Sequence, residues 1–394
     1  MLSEKSRPVI EATAGVVAEN MPQITPKFYG HMFEAHPELL DGVFSRANQR
    51  NGEQAQALAG SIVKFAVHLL EHPDTLPEAV LARIAHKHTA LGITPDQYQI
   101  VYENLFWAIG DVLGEAITPE VAEAWTEVYW LMADALIKLE KDLYAKQAND
   151  KMWTDWKVAS KEPTGNAAMT FRFVPADDTP VTPGEPGGYV SVRIKVEDGL
   201  RQARQYSLSQ HAESTTERVI TVKLDEAGEV SPMLIQSVQE GDVVELSNPY
   251  GEIVPTRTEA PIVLATAGIG ITPAASILNS LAEHHSSRQV TFLHADASWD
   301  SVALRDQVMA SVAALENAHA HVWLGQAPES APEGVELHEG RMDVSAVQLP
   351  EGAEVILCGP LPFMKSVRSD LIEAGVPATA IRYEIFGPDL WLAA

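Results

Sequence analysis

The sequence predicts a multidomain protein in which an all-α domain is followed by an antiparallel β-barrel domain and then by an α/β domain with a parallel sheet. Three successive hydrophobic patterns carry this prediction. Apolar residues recur with a helical period up to about residue 147, alternate with polar residues from about 153, and form short continuous runs separated by helical segments after about 258. We therefore predict domains at 1–147, 153–257 and 258–394.

The helical pattern is most informative in residues 81–91, where Leu81, Ile84, His88 and Leu91 fall on one apolar stripe. A histidine in that position has two interpretations. It is either a hydrogen-bonded core residue, which is the more common case, or an axial haem ligand that projects from an apolar wall into a cofactor slot. This helix alone does not separate the two.

Other polar residues lie at apolar-looking helical positions. The run Thr94-Pro95-Asp96-Gln97 predicts a capping box at the start of a helix, and Tyr98 follows in its first turn. Taken singly, such a tyrosine is typical of core packing, and a glutamate near a helix end is typical of a solvated position. The same holds for Tyr29 in an early helix and for Glu140 in the last helix of the domain.

The barrel region contains a candidate flavin motif. Residues 190–197 and 219–224 alternate as half-buried strands do, and between them lies the run Arg204-Gln205-Tyr206-Ser207. Arginine offers a donor fork for a pyrophosphate, tyrosine a flat surface, and serine a short hydroxyl for a flavin ring nitrogen. The alternative is a plain strand that alternates charged and aromatic residues. Further along, the run ending at Ser231 opens a segment whose N–H groups and hydroxyl could hold a phosphate.

The third region carries a glycine-rich turn between a predicted strand at 261–265 and a predicted helix at 274–284. Glycines let the backbone approach a phosphate, and Thr272-Pro273 predicts the cap and first position of the helix. A second apolar strand, predicted at 354–357, ends at Cys358-Gly359. The residues that we single out in the turn are Gly268, Gly270, Thr272 and Pro273.

Composition narrows the function classes. The 394 residues carry 28 Lys and Arg against 54 Asp and Glu, and the formal net charge of −26 disfavours nucleic acid and anionic membrane surfaces as partners. One cysteine excludes an intramolecular disulfide and a Cys-based metal cluster, as expected in a reducing compartment. Since the sequence has no apolar run of about 18 residues, we predict a soluble cytoplasmic protein without stable membrane insertion. The oligomeric state stays open, and a monomer is one possibility.

Along its whole length the sequence resembles the flavohaemoglobins, which are bacterial globins fused to a ferredoxin-reductase-like module. In the first domain the most specific match is the run Asn48-Gln49-Arg50-Asn51-Gly52-Glu53-Gln54. The other matching residues of that domain are Phe28-Tyr29, Pro37-Glu38-Leu39, Phe44, Lys87-His88-Thr89, Gln97-Tyr98 and Glu140. The resemblance implies a globin fold, an FAD-binding barrel and a nicotinamide-binding α/β domain.

By that resemblance His88 is the proximal ligand of the iron of haem b, and Tyr98 and Glu140 hydrogen-bond the other nitrogen of its ring. A carboxylate that accepts from a metal-bound imidazole adds electron density to the iron. On the distal side the resemblance assigns Tyr29 as the hydrogen-bond donor and Gln54 as the assisting amide. It gives Leu58 the role of limiting access and packs the ring of Phe44 on the haem.

For the reductase half the resemblance implies FAD bound by Tyr189, Arg204, Gln205, Tyr206, Ser207 and Ser231. The family's usual Pro-Gly-Gln-Tyr reads Pro186-Gly187-Gly188-Tyr189, which puts the side contacts of the flavin in doubt. The glycine-rich turn would bind the nicotinamide nucleotide. Cys358 and Gly359 would lie beside its ring, Phe386 against the isoalloxazine, and Glu384 near it.

The implied activity is that of a nitric oxide dioxygenase, which uses NADH or NADPH, O2 and nitric oxide. Asp296 and the absence of Lys and Arg in residues 294–300 favour NADH. Two alternatives stay open. An O2-storing or O2-sensing globin would need no flavin or nicotinamide motif, whereas an NADH-driven reductase of peroxide, quinone or ferric iron would use both motifs and leave the haem incidental.

Overall fold

The protein is described by a computed structural model that covers residues 1–44, 46, 49, 52–326, 334–389 and 391. The chain divides into two compact units. The first consists of Met1–Met152, Arg193–Arg204 and Gly387–Ala394, and the second of Trp153–Val192 and Gln205–Phe386.

The first unit is helical over most of its length. Its core is built from the apolar faces of the helices and includes Ile24, Phe28, Phe65 and Leu136, all nearly inaccessible to solvent. Burial of such faces is the main source of stability for helices of this length. The helices are α1 (Arg7–Ala35), α2 (Glu53–Glu71), α3 (Glu78–Leu91), α4 (Pro95–Leu113) and α5 (Pro119–Ala145).

The turn between α3 and α4 fixes the two helices that carry the candidate haem site. Gly92 ends α3 with a positive φ of 76°, which favours glycine, and the Ile93 N–H donates to the His88 carbonyl at 3.1 Å. Thr94 then caps α4 through the predicted capping box with Gln97. This tight connection brings the last turn of α3 and the first turn of α4 together.

The strands of the FAD-type domain form an antiparallel barrel in the order β1-β2-β5-β4-β3-β6, and β1 pairs with both β2 and β6. Alternating inward residues such as Phe171, Phe173, Val192 and Leu208 are fully buried, as the period-2 pattern predicts. The elements are β1 (Trp153–Thr164), β2 (Ala168–Pro175), β3 (Tyr189–Lys195), β4 (Arg201–Gln210), β5 (Arg218–Lys223), α6 (Val230–Gln236) and β6 (Val243–Ser247).

The remaining strands form a six-stranded sheet in the order β10-β9-β8-β7-β11-β12, in which each pair of neighbours is parallel. A core of Ile277, Leu278, Phe292 and Val322 fills one face of this sheet. The elements are β7 (Ile262–Ala267), α7 (Ile271–Glu283), β8 (Val290–Ser298), α8 (Arg305–Ala313), β9 (Ala318–Gln326), β10 (Val335–Glu339), β11 (Glu354–Cys358), α9 (Leu361–Glu373) and β12 (Ile381–Glu384).

The predicted fold class, helical then barrel then parallel α/β, is therefore confirmed. The predicted cap of the helix after the glycine-rich turn is wrong by two positions. Helix α7 begins at Ile271, because a 3-10 turn at Gly268–Gly270 runs directly into it, so Thr272 and Pro273 lie inside its first turn.

Candidate functional site

His88 lies in the last turn of α3 and makes the central contacts of the helical unit. Its Nδ1 is 2.9 Å from Tyr98 Oη and 2.9 Å from Glu140 Oε1, and Tyr98 Oη also donates to Glu140 Oε1. Since an ionised carboxylate can only accept hydrogen bonds, the proton of the hydrogen bond between His88 and Glu140 lies on Nδ1 of the imidazole. The other ring nitrogen, Nε2, then has the lone pair that a metal ion needs.

The surroundings of this triad keep its polar atoms oriented. Tyr98 and Glu140 are buried, whereas the side chain of His88 is about one-third exposed, at 34%. Burial, together with the neighbouring Glu140 charge, raises the pKa of Tyr98 well above its usual value, so the phenol stays protonated and donates. The arrangement fits a haem site, because metal-ligating histidines normally donate their other N–H to such a partner.

Tyr29, the predicted distal donor, is buried in α1 among aromatic rings. Its ring is stacked on Phe33 at 5.7 Å between centroids and meets Phe44 edge-on at 6.0 Å. Burial raises the pKa of Tyr29 well above its usual value, so its hydroxyl keeps its proton. The structure thus brings the rings of Tyr29 and Phe44 together, with Phe33 as an additional neighbour.

Gln54 and Leu58 lie in the first two turns of α2, and Leu58 packs against the same core as Tyr29. Gln54 Oε1 accepts from Gln49 Nε2 at 2.9 Å. Of the specific run that leads into α2, Asn48, Arg50 and Asn51 fall outside the described residues.

The candidate flavin motif lies on β4. In the first unit, Arg204 Nη1 donates to the carbonyl of Ala203 at 2.7 Å. In the second unit, Gln205 and Tyr206 are half-buried, and Ser207 is buried with its Oγ lacking a hydrogen-bond partner among the described residues. A buried hydroxyl of that kind costs free energy unless a ligand engages it, so Ser207 fits the polar edge of a flavin.

Tyr189 begins β3 and is buried. Its backbone N–H donates to the Tyr250 carbonyl at 2.7 Å, which forms an isolated bridge between the two tyrosines. Ser231 lies in the first turn of α6, where its Oγ accepts from the Asp225 N–H at 3.0 Å. The structure therefore gives Ser231 a loop-closing contact that the motif alone did not indicate.

In the nicotinamide-type domain, two predicted motifs meet at the carboxyl ends of β7 and β11. A Cβ on Gly270 would lie 2.3 Å from the Cys358 carbonyl oxygen, and one on Gly359 would lie 2.8 Å from the ring of Phe363. Only glycine fits at either position. Parallel sheets bind nucleotides at this edge, so the cradle suits the predicted ligand.

The other predicted residues of this domain differ in exposure. Cys358 is buried, and burial together with the Glu384 charge raises the pKa of its thiol, which disfavours a nucleophilic thiolate. Glu384 pairs with Cys358 across β11 and β12 and is buried, whereas Phe386 is exposed. Thr272 and Pro273 are buried in α7, and the Thr272 hydroxyl donates to the Ile269 carbonyl at 3.1 Å.

Asp296, the residue on which the prediction of NADH rests, lies near the end of β8. Burial would raise the pKa of its carboxyl, but hydrogen bonds from His294 and Ser301 lower it below its usual value. The Ser301 hydroxyl donates to Asp296 Oδ1 at 2.6 Å. The carboxylate is thus held ionised, which disfavours a neighbouring phosphate group.

Sequence reasoning misses Tyr129, whose hydroxyl donates to the Tyr98 carbonyl at 2.6 Å and ties α5 to the first turn of α4. Tyr129 is 31 residues from Tyr98 in sequence. No local pattern distinguishes it from the other aromatic residues of α5.

Three family descriptions match the chain. Residues 26–136 match the globin family, residues 155–254 the oxidoreductase FAD-binding domain, and residues 264–369 the oxidoreductase NAD-binding domain. Of the helices that the structure describes, none is long and apolar enough to cross a membrane.

Two relatives match the chain over nearly its whole length. The chain is 38% identical over 401 residues to the flavohemoprotein of Bordetella parapertussis, covering 98% of this chain and 99% of the relative. It is 36% identical over 406 residues to that of Rhizobium meliloti, covering 99% and 100%.

Two solved structures are also similar. The flavohemoglobin of Malassezia yamatoensis, with bound FAD and heme, superimposes with a TM-score of 0.92 at 44% identity, covering 98% of this chain and all of that one. The FAD/NAD-binding domain of a nitric oxide dioxygenase from Vibrio cholerae covers 60% of this chain and 99% of its own, with a TM-score of 0.54 at 33% identity.

Proposed function

The chain belongs to the flavohaemoprotein family, and on that premise we propose that it is a nitric oxide dioxygenase, which uses NAD(P)H and O2 to convert nitric oxide to nitrate. The observation that carries the proposal is the buried Glu140 carboxylate on Nδ1 of His88. An anionic partner on a ligating imidazole strengthens electron donation to iron, which activation of O2 requires more than reversible O2 storage does.

Family membership makes the chain an NAD(P)H-dependent oxidoreductase that carries haem and FAD, so the predicted family and cofactors are confirmed. When bound, the flavin and haem supply the redox chemistry that links oxidation of NAD(P)H to reduction of iron. The contribution of this chain is to hold them and to place hydrogen bonds and charges around them.

On the proximal side we assign His88 as the iron ligand through Nε2. Glu140 accepts a hydrogen bond from the Nδ1–H, and Tyr98 donates to Glu140, which keeps that carboxylate turned towards the imidazole. His88 therefore has a fixed ring orientation and a basic Nε2. Tyr98 is a positioning residue in this scheme, because it acts through the other two.

On the distal side we assign Tyr29 as the hydrogen-bond donor for O2, with Gln54 assisting, Leu58 limiting access and Phe44 packing on the haem. Tyr29 is suited to donate, since its burial keeps the phenol protonated at any physiological pH. Its ring is held by the stack on Phe33, so the hydroxyl has few orientations.

In the reductase half we assign Ser207 to the polar edge of the flavin, because its buried Oγ has no partner among the described residues. Tyr189, Arg204, Gln205, Tyr206, Ser231, Glu384 and Phe386 are assigned to the flavin with it. Gly268, Gly270, Thr272, Pro273, Cys358 and Gly359 are assigned to the nicotinamide nucleotide, with NADH favoured by Asp296. We also retain the domain limits 1–147, 153–257 and 258–394 and a cytoplasmic location as parts of the proposal.

The test uses the purified holoenzyme, with haem and FAD in place. NADH is added without oxygen, then O2, and then a pulse of nitric oxide, while the haem spectrum and nitrate are followed. The proposal expects haem reduction by NADH and nitrate formed in proportion to nitric oxide consumed. Reduction of the flavin with haem left ferric would instead support the reductase alternative, and oxygen binding without nitrate would support the storage alternative.

The Tyr29→Phe variant tests the distal assignment separately. Loss of one donated hydrogen bond should speed O2 dissociation about tenfold and lower nitric oxide turnover, since such a bond contributes about 1–1.5 kcal/mol. Flash photolysis of the ferrous protein measures O2 binding and release directly. Unchanged O2 dissociation would remove Tyr29 from the mechanism and leave the proximal assignments untouched.

A further inference from the structure

A second cluster of histidine and carboxylate side chains lies in the nicotinamide-type domain, on the last two strands of its sheet. His321 belongs to β9, and Glu336 and His338 to β10, which pairs with β9 in parallel register. Glu336 is the register partner of His321, and His338 is the partner of Trp323. Since side chains two residues apart share a face, all of these residues lie on one face of the sheet.

The ligand atoms of this cluster converge. His321 Nδ1 is 3.2 Å from His338 Nε2 and 3.4 Å from Glu336 Oε2, and one ligand atom of each residue lies within 4.8 Å of the others. Tetrahedral coordination with metal–nitrogen bonds of about 2.0–2.1 Å places ligand atoms about 3.3–3.4 Å apart. The two measured separations are close to that spacing.

The cluster is held in place by packing. The ring of His338 is stacked on Trp323, with 4.4 Å between centroids and 14° between planes, and Trp323 is buried. His321 is only 8% exposed. The Glu336 side chain is 71% exposed, so an ion can reach the site from solvent and this carboxylate can swing onto it.

We propose that His321, Glu336 and His338 form a binding site for a divalent transition-metal ion, with zinc as the best fit. Two imidazoles and one carboxylate are a known ligand set for zinc, with a fourth position left for water. Imidazole ligands also suit copper and nickel, whereas calcium and magnesium prefer oxygen ligands alone. This site uses none of the residues assigned to haem, flavin or nicotinamide.

The electrostatics of the site agree with metal binding. The carboxylate of Glu336 places negative charge 3.4 Å from His321 Nδ1, and this charge would attract a cation to the site. Asp343 adds a further carboxylate in the electrostatic neighbourhood of His338. A bound ion would also tie the edge strand β10 to β9 through side chains.

The experiment measures zinc binding to the holoenzyme after removal of loosely bound metal with a chelator. Equilibrium dialysis against ZnCl2, followed by elemental analysis, is expected to give one zinc per chain beyond weak surface binding. Zinc K-edge absorption, which is separate in energy from that of haem iron, should show nitrogen and oxygen ligands at about 2.0–2.1 Å with the scattering pattern of two imidazoles.

Two variants and one control identify the ligands. His338→Gln and Glu336→Gln should each weaken zinc binding at least about tenfold, and the exposed Glu336 position keeps the test valid if the histidine variant folds poorly. His284→Gln removes an exposed histidine directly after the last residue of α7, 3.7 Å from Glu213, and should leave the site unchanged. Equal zinc affinity in Glu336→Gln and in the unmodified protein, or absorption without imidazole scattering, would overturn the proposal and reduce the contact to a histidine–histidine hydrogen bond.

Discussion

Glu140 in the first, helical unit and Glu354 in the second unit, which we call the sheet unit, are both buried carboxylates, at 2% and 9% exposure. Their hydrogen-bond partners differ in kind. Glu140 accepts from the imidazole of His88 and the phenol of Tyr98. Glu354 binds the guanidinium groups of Arg288 and Arg382, and it also accepts from the backbone and the hydroxyl of Thr256, at 3.0 and 2.9 Å.

The partners decide which buried carboxylate has its negative charge available for chemistry. Burial alone would raise the pKa of Glu354, but the hydrogen bonds and charge of its arginine partners hold that pKa below its usual value. Its negative charge is thus compensated by cations. The neighbours of Glu140 are neutral donors, so its charge acts on the imidazole, and the identity of the partner is a better sign of function than burial.

Glu354→Gln should cause the greatest loss of thermal stability among the variants compared. The amide would accept from one arginine but turn its NH2 towards the other, leaving a buried cation without its counter-charge. Removal of one partner from a buried ion pair costs about 3–5 kcal/mol, and for a domain of this size we expect the melting temperature of the sheet unit to fall by about 10 °C. Differential scanning calorimetry resolves that transition.

The matched control is Glu185→Gln, which removes the exposed ion pair between Arg257 and Glu185, 3.0 Å apart. Exposed pairs contribute about 0–1 kcal/mol, so this variant should melt within a few degrees of the unmodified protein. Equal shifts in the two variants would mean that the buried network does not stabilise the domain.

The same network gives a pH dependence of known sign. A carboxyl whose pKa is lowered on folding contributes stability above its unfolded pKa, near the ordinary value of 4.5, and loses it as the pH falls through the folded value. The difference in melting temperature between the unmodified protein and Glu354→Gln should therefore be constant from pH 7 to about pH 5 and narrow below that. A gap that widened with acid would contradict the assignment of Glu354 as the ionised partner.

Glu140→Gln should change the free energy of unfolding less than Glu354→Gln does, but it should clearly lower activity. The amide keeps the shape of the side chain and removes the charge that acts on His88. Loss of such a partner lowers activity about 10–100-fold, with the melting temperature of the helical unit nearly unchanged. The iron–histidine stretching frequency of the ferrous protein, measured by resonance Raman spectroscopy, should fall in parallel.

Glu103→Gln is the control in the same unit, because Glu103 is exposed and accepts only from Gln99 among the hydrogen bonds described for its side chain. It should leave both turnover and the stretching frequency unchanged. Lost turnover in Glu140→Gln with an unchanged stretching frequency would mean that Glu140 acts on the fold of the pocket and not on the iron ligand.

The contrast between the two carboxylates also explains what the sequence predicts well. Local patterns, namely the apolar stripe and the capping box before Tyr98, drew attention to His88, but only the family resemblance gave it the role of haem ligand and added Glu140. Glu354 precedes a run of apolar strand residues without any such signal. Its partners Arg288 and Arg382 lie 66 and 28 residues away in sequence, so only the folded sheet brings them together.

The same reasoning accounts for the rest of the fold. The order of helical, barrel and parallel-sheet domains follows from periodicity, which each segment carries by itself. The start of α7 depends on the 3-10 turn at Gly268–Gly270, and the His321 cluster depends on the register of β9 against β10. The register is a tertiary fact that the isolated histidines did not predict, whereas the 3-10 turn is a local feature that the threonine–proline pair did not reveal.

Tyr98→Phe should lower turnover less than Glu140→Gln does, and it tests how Glu140 is held in position. The variant removes the phenol that donates to Glu140 but keeps the contact of 2.9 Å between His88 Nδ1 and Glu140 Oε1. One hydrogen bond contributes about 0.5–1.5 kcal/mol, so turnover should fall about two- to tenfold, less than in Glu140→Gln.

Tyr144→Phe, which removes a hydroxyl bonded to the Ile93 carbonyl at 2.9 Å, is the control for loss of a partly buried phenol in the same unit. If Tyr98→Phe lowers the iron–histidine frequency as far as Glu140→Gln does, the carboxylate depends on the phenol for its position, and the two residues act on His88 as one unit.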